Sequence, residues 1–306
     1  MRHITLGPTH LEVPVIAVGC MRMDTLKPAD AKCFVEEALE LGANFFDHAD
    51  VYGDAIPSEQ VFAEAITMSP SIREQIILQS KCGIRDNMYD FSRKHILNAV
   101  DGSLKRLKTD YLDVLLLHRP DALVEPEEVA SAFDALESSG KVRHFGVSNH
   151  TPMQMALLQK FVRQPIVANQ LQFSITNATM VAQGMNMNME NNWAVMRDGS
   201  VLDYCRVHDI TVQPWSPFLY GFFVGVFLGS PQFPELNRVI DEMAQKYNAT
   251  NTTIALAWIL RHPARMQPII GTMNLERLRD CVAASDVHLS REDWYAIYLA
   301  AGYMLP

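Results

Sequence analysis

The chain has 306 residues, of which 48% are hydrophobic and 20% charged, a balance that excludes intrinsic disorder as its main state. Its 26 basic and 35 acidic residues give a net charge of −9, which argues against nucleic acid or an anionic membrane as partner. The five cysteines lack disulfide or zinc spacing, and no secretory signal or membrane-length apolar segment is evident. We therefore expect a cytoplasmic protein.

Short apolar runs alternate with longer amphipathic segments along the chain. A hairpin is predicted over residues 4–13, and the first amphipathic helix over residues 29–41. The apolar runs are rich in Ile, Leu, Val and Phe, as is typical of parallel strands buried on both faces. They cover residues 14–19, 44–47, 75–81, 114–118, 144–148, 166–170, 210–215 and 268–271.

This alternation predicts the α/β class and a single closed (β/α)8 (TIM) barrel domain over residues 1–306. A doubly wound sheet is the competing fold, but residues 19–23 (GCMRM) lack its glycine-rich turn. The Met- and Asn-rich residues 177–200 are predicted to form a long loop over the barrel mouth. Residues 290–306 begin with a Ser-x-x-Asp capping pattern, which predicts an extra C-terminal helix followed by a tail.

Polar residues follow the ends of consecutive predicted strands. The second strand ends in Asp47, the third in Lys81 and the fourth in His118, and Tyr52 lies five residues after Asp47. Catalytic groups of a barrel enzyme lie at the carboxyl ends of its strands. Each residue alone has an ordinary structural explanation, but together they predict an active site.

These four side chains suit proton donation to a carbonyl oxygen. We expect Asp47 to hold the Lys81 ammonium, and the ammonium to bring the pKa of Tyr52 from about 10 toward neutrality. His118 can orient the carbonyl by a hydrogen bond. The hydride has to come from a cofactor, since no side chain supplies one.

Several motifs resemble those of the aldo-keto reductase family, above all a bacterial branch of it, nearly from end to end of the chain. They are residues 47–53 (DHADVYG), Lys81 in LQSKCG, residues 115–120 (LLLHRP), 146–149 (GVSN) and 215–217 (WSP). The resemblance implies hydride transfer from NADPH to the carbonyl of an aldehyde, ketone or quinone. It also implies a catalytic tetrad of Asp47, Tyr52, Lys81 and His118, with Tyr52 as proton donor.

The resemblance further implies a cofactor site along the strand ends. Ser148, Asn149 and Gln170 are expected to hold the nicotinamide amide, and Trp215 to stack on the ring. The other expected contacts are Gly19, Met21, Arg22, Asp47, Ser216, Phe218, Gly271, Thr272, Asn274 and Arg277. Many relatives carry a basic residue in place of Gly271 and Asn in place of Cys281, so Arg277 is the main candidate for a 2′-phosphate. NADPH is favoured over NADH.

The substrate, a small carbonyl compound, is expected to lie in a broad apolar pocket. Its expected contacts are Met23, Tyr52, His118, Trp193 and Phe218. Methionine side chains adapt to varied shapes, so hydrophobic aldehydes, ketones or quinones fit better than polar sugars.

Two other functions stay open. A barrel that binds NADP(H) as a redox sensor or regulatory subunit would keep the cofactor contacts but show little turnover. A metal-dependent hydrolase would use His48, Asp50 and His118, but that leaves Tyr52 and Lys81 unexplained.

A monomer is favoured, since many members of the family that the chain resembles are monomers.

Overall fold

The computed structural model describes residues 1–86, 88–186, 192, 199–221 and 224–303. The strands, in chain order, are β1 (His3–Thr5), β2 (Glu12–Pro14), β3 (Ala17–Gly19), β4 (Phe45–Asp47), β5 (Ile77–Cys82), β6 (Ile84–Arg85), β7 (Met88–Tyr89), β8 (Leu112–Leu117), β9 (Val142–Ser148), β10 (Ile166–Gln172), β11 (Thr211–Trp215) and β12 (Ile269–Ile270). Strands β3, β4, β5 and β8 to β12 pair in parallel in that order, and β12 closes on β3. The predicted (β/α)8 barrel is confirmed.

Helices surround the barrel. They are α1 (Pro28–Glu40), α2 (Ser58–Ala65), α3 (Pro70–Arg73), α4 (Arg93–Leu107), α5 (Pro126–Ser138), α6 (Pro152–Gln159), α7 (Thr179–Met185), α8 (Val201–Val207), α9 (Pro234–Tyr247), α10 (Asn251–Arg261), α11 (Leu275–Ala283) and α12 (Arg291–Ala300). The hydroxyls of Ser92, Thr151 and Ser290 accept bonds from backbone amides three residues on, which explains where α4, α6 and α12 begin. In the part of the chain that the structure describes, no helix is long and apolar enough to cross a bilayer.

The predicted N-terminal hairpin is confirmed as β1 and β2, and it closes the barrel end opposite the strand carboxyl ends. Leu6 and Val13 are buried against the barrel interior, where they meet residues such as Val167. Gly7 has a φ of +54°, and a Cβ there would lie 2.4 Å from the Val167 carbonyl oxygen. Only glycine fits so close a backbone approach, and one barrel end is thereby sealed.

The prediction of one long loop over residues 177–200 is wrong for its first part, which contains α7. Met180, Val181 and Ala182 are buried, so packing stabilises a helix that the irregular Met and Asn pattern did not reveal. The backbone amide of Ala178 donates to the Tyr303 hydroxyl at 2.6 Å, which joins this segment to the residues after α12. The part of the predicted loop over residues 187–191 and 193–198 lies outside the described residues.

The antiparallel pair β6 and β7 was not predicted. Each strand has only two residues, too few to show a period of two. This pair follows β5 directly and therefore stands at the same end of the barrel as Lys81.

A buried ion pair ties the strands together near their amino ends. The Asp113 carboxylate lies 2.7 Å from Arg73 and 3.1 Å from Arg143, and it accepts a bond from the Leu78 amide at 2.9 Å. Arg73 also donates to the carbonyl oxygens of Ile76 and Tyr111. Helix α3 and strands β5, β8 and β9 therefore meet at one cluster of paired charges, far from the open barrel end.

We expect Asp113→Asn to lower the free energy of unfolding by about 3 kcal/mol, because it leaves the buried Arg73 guanidinium without its counter-charge. Urea denaturation measures the loss. The control is Asp101→Asn, which breaks the partly exposed pair with Lys141 and should cost less than about 1 kcal/mol. Equal losses in the two variants would contradict this account of the cluster.

Candidate active site

A cavity of about 870 Å³ opens at the carboxyl ends of the barrel strands. The predicted site residues that line it are Gly19, Met21, Arg22, Asp47, Tyr52, His118, Ser148, Asn149, Gln170, Trp215, Ser216, Phe218, Gly271, Thr272 and Arg277. They follow strands that lie far apart in sequence. Closure of the barrel brings them together around one opening.

Three predicted site residues lie elsewhere. Met23 does not line the cavity but is fully buried in the core, because it begins a 3-10 turn that packs inward. Asn274 is exposed, and its side chain caps α11 by accepting a bond from the Arg277 amide at 2.9 Å. Lys81 is fully buried beneath the cavity. Trp193 lies outside the described residues.

Lys81 is fixed by three acceptors. Its ammonium lies 2.8 Å from Asp47 Oδ2, 2.7 Å from the His48 carbonyl oxygen and 3.1 Å from the Tyr52 hydroxyl. An ammonium has three donors, so all of them are used. Strands β4 and β5 are neighbours, and this places the carboxylate and the ammonium side by side. Tyr52 and Asp47 both line the cavity, and Lys81 lies beneath them.

Burial and neighbouring charges together decide the protonation of Lys81 and Tyr52. Burial alone lowers the pKa of Lys81, but Asp47 and Tyr52 outweigh it, so that the pKa is raised and the ammonium persists. Burial raises the pKa of Tyr52, and the nearby Lys81 ammonium opposes this only in part. The expected lowering of the Tyr52 pKa is therefore wrong in direction, because desolvation of the phenolate exceeds the attraction of the ammonium. Tyr52 is a protonated phenol at neutral pH.

His118 is neutral at physiological pH. Burial first, and then the charges of Lys81 and Arg119, hold its pKa well below the ordinary value. The imidazole stands edge-on to the Tyr52 ring, with 5.8 Å between the ring centroids. A neutral imidazole keeps one N–H donor, so His118 can donate a hydrogen bond to an oxygen beside the Tyr52 hydroxyl.

A hydrogen-bonded chain crosses the strand ends on the other side of the cavity. The Trp215 indole donates to Asn149 Oδ1 at 3.2 Å, Asn149 donates to Ser148 Oγ at 2.7 Å, and Ser148 donates to the Gln170 carbonyl at 3.0 Å. Asn149 and Ser216 have φ values of +61° and +51°. Left-handed backbone at non-glycine residues is uncommon and concentrates at functional sites.

Two groups of residues at this site were not predicted from the sequence. Gln79 and Gln213 are fully buried inside the barrel, and Gln79 donates to Asp47 Oδ1 at 2.6 Å. The signal was a glutamine within the apolar runs QIILQSK and ITVQPW. The second group lines the cavity with apolar surface and comprises Val51, Ile84, Tyr89, Leu219, Val226 and Leu228.

The residues of the metal-hydrolase hypothesis are not arranged as a metal site. His48 is fully buried with its ring edge-on to Phe62, and neither it nor Asp50 lines the cavity. Within the described part of the chain, no three His, Cys, Asp or Glu side chains are grouped as ligands for one ion. His48 and Asp50 thus belong to the surroundings of the ion pair rather than to its open face.

Comparisons with known proteins agree with this geometry. The model of the aldo/keto reductase family matches residues 15–299. Oxidoreductase YdhF of Escherichia coli (strain K12) is 36% identical over the whole of both chains. A 6-dehydroglucose reductase of Novosphingobium aromaticivorans is 35% identical and covers 98% of this chain and 96% of its own.

A solved structure extends the agreement to three dimensions. The thermostable aldo-keto reductase Tm1743, crystallised with the inhibitor epalrestat, has a TM-score of 0.79 and 25% identity. The match covers 98% of this chain and 100% of that one. With its closed barrel and its Asp, Tyr, Lys and His at the strand ends, the chain belongs to the aldo/keto reductase family, whose members are oxidoreductases that act on carbonyl groups.

Proposed function

We propose that this protein reduces the carbonyl group of an aldehyde, ketone or quinone with NADPH, and that Tyr52 donates the proton. The observation that carries the proposal is the buried Asp47, Lys81 and Tyr52 chain, whose phenol end opens on the cavity beside neutral His118. A redox sensor with little turnover has no need for a phenol coupled to a buried ammonium. The hydrogen-bonded set of Asp47, Lys81 and Tyr52 therefore favours an enzyme.

The cavity residues fit a nicotinamide cofactor. Ser148, Asn149 and Gln170 offer amide and hydroxyl groups, and Trp215 offers a flat indole face at the same place. Arg277, near the start of α11, adds a positive charge on the cavity wall, where a helix N-terminus also favours phosphate. When bound, a reduced nicotinamide supplies the hydride.

Tyr52 completes the reaction as general acid. Hydride addition leaves negative charge on the carbonyl oxygen, and the alkoxide is a stronger base than a phenolate, so the proton moves from Tyr52 to the oxygen. Lys81 stabilises the phenolate that remains, since its ammonium already lies 3.1 Å from the hydroxyl. His118 donates a hydrogen bond that orients the carbonyl, and Asp47 keeps Lys81 in place.

The cavity favours a substrate with an apolar group. Ile84 and Tyr89 of the β6 and β7 pair, together with Val51 and Leu219, line it with hydrophobic surface.

A second candidate substrate is a sugar carbonyl, because one relative at 35% identity is named 6-dehydroglucose reductase. Comparing an aromatic aldehyde with 6-dehydroglucose decides between them. A higher kcat/KM for the aromatic aldehyde is the expected result, and a clear preference for the sugar would contradict the apolar assignment.

We expect Tyr52→Phe to lower kcat/KM with NADPH and an aromatic aldehyde by about 10²- to 10⁴-fold, because the phenol hydroxyl is the proton donor. The measurement is the initial rate of loss of NADPH absorbance. The control is Tyr111→Phe, whose ring packs between Arg73 and Arg143 at the other end of the barrel, and which should keep the wild-type rate.

Two outcomes of this experiment would contradict the proposal. Full activity in Tyr52→Phe would show that another group donates the proton. Tight NADPH binding in a fluorescence titration, with wild-type turnover no faster than that of the variant, would favour the redox sensor.

We expect Arg277→Met to raise the Kd for NADPH about tenfold and to leave the Kd for NADH unchanged, because the guanidinium pairs with the 2′-phosphate that only NADPH carries. Fluorescence titration gives both constants. Arg279→Met, on the same helix but paired with Glu37 away from the cavity, is the control and should change neither. An equal loss for both cofactors in Arg277→Met would assign Arg277 to the pyrophosphate instead.

A further inference from the structure

Buried glutamines form a connected network inside the barrel beneath the active site. Gln79 of β5, Gln213 of β11 and Gln267, just before β12, are fully shielded from solvent. Gln79 and Gln213 exchange two hydrogen bonds, with Nε2 to Oε1 distances of 2.9 and 3.0 Å. Gln213 also donates to Gln267 Oε1 at 2.9 Å. Such amides are costly to bury unless they are hydrogen-bonded. Here the hydrogen bonds continue from Gln79 to the Asp47 carboxylate.

The two ends of the network determine which way each amide points. At one end Gln267 Nε2 donates at 2.8 Å to the carbonyl oxygen of Pro14, which can only accept. The Gln267 oxygen is then left to accept from Gln213, which leaves the Gln213 oxygen to accept from Gln79. At the other end Gln79 Nε2 donates to Asp47 Oδ1 at 2.6 Å. A reversed Gln79 amide would place two oxygens together at Asp47 and two NH2 groups together at Gln213.

We propose that Gln79, oriented by Gln213 and Gln267, is a positioning residue that fixes the Asp47 carboxylate so that Oδ2 holds Lys81 against the Tyr52 hydroxyl. This inference rests on the proposed function of Tyr52. Gln79 does not line the cavity, and it acts only through Asp47. Gln170 also donates to Asp47 Oδ1, at the longer distance of 3.2 Å.

The proposal predicts the direction of a change in pH dependence. Without the Gln79 donor, Asp47 Oδ1 keeps only the longer bond from Gln170, so the carboxylate is held less firmly and Lys81 is less well fixed at Tyr52. The ammonium then stabilises the phenolate less, so the pKa of Tyr52 rises further. The test alters none of the charged and titratable groups around Asp47 and Tyr52. These groups are Lys81, His118, Arg119, Cys20, His48 and Asp50.

The test is Gln79→Met, which keeps the side-chain length and removes the donor. In the alcohol-oxidising direction Tyr52 must act as a phenolate base, so we expect the rate at neutral pH to fall about tenfold, equivalent to about 1.4 kcal/mol. In the reducing direction the alkaline decline of kcat/KM moves to higher pH. An unchanged pH profile, or a shift to lower pH, would overturn the proposal.

Two further variants separate positioning from stability. Gln164→Met removes a buried glutamine that donates to Asp134 and Glu137 on the outside of the barrel, and it should leave both pH profiles unchanged. In Gln79→Met with Gln213→Met both amides of the mutual pair are replaced, which removes the unpaired Gln213 groups that the single change leaves, while Gln267 Oε1 loses its donor. The shift in pH profile should nevertheless persist, and its disappearance in the double variant would reduce Gln79 to a structural role.

The outcome also separates this inference from the proposed function. If Tyr52→Phe abolishes turnover while Gln79→Met keeps the wild-type pH profiles, the reductase stands and the positioning role fails. If Tyr52→Phe is fully active, the proposed proton donor fails, whatever Gln79→Met does.

Discussion

The buried ion pair between Asp47 and Lys81 is the interaction on which the site depends. Both groups are almost completely removed from solvent and lie 2.8 Å apart. Removing two charges from water costs more than their attraction returns unless further hydrogen bonds satisfy them. Here the Lys81 ammonium also donates to the His48 carbonyl and the Tyr52 hydroxyl. The Asp47 carboxylate also accepts hydrogen bonds from Gln79 and Gln170. A charge so fixed is available to a reaction at Tyr52 without reorganisation.

The barrel separates stability from chemistry. At one end the hairpin seals the interior, and the cluster of Asp113 with Arg73 and Arg143 joins α3 to three strands. At the other end the strands finish in polar side chains around a cavity of about 870 Å³. Residues at the sealed end can be changed to alter folding, and residues at the open end to alter function. The glutamine network runs inside the barrel between Pro14 and Asp47 and so connects the two ends.

Strand positions and strand-end residues were predictable from the sequence because apolar runs and their polar ends are local patterns. Asp47, Tyr52 and His118 were placed at one cavity for that reason, and the structure brings them together with Lys81. The direction of the Tyr52 pKa was not predictable, because it depends on burial, which only the folded chain determines.

Two other features also needed the folded chain. Met23 belongs to the core rather than the pocket, because a turn directs it inward. The pairing of Gln79 with Gln213 joins residues 134 positions apart, which no local pattern reveals. By contrast, the start of α12 directly after its cap Ser290 was predictable, since the capping hydroxyl binds an amide only three residues further on.

A direct titration of Tyr52 tests the central claim, that burial keeps this phenol protonated at neutral pH while Lys81 stands ready to stabilise its phenolate. The measurement is the ultraviolet difference absorbance of wild type minus Tyr52→Phe as the pH is raised. The account predicts that the tyrosinate difference signal has its midpoint above about pH 10, the pKa of a free tyrosine. A signal equivalent to one tyrosinate near neutral pH would contradict it, since the ammonium would then outweigh burial.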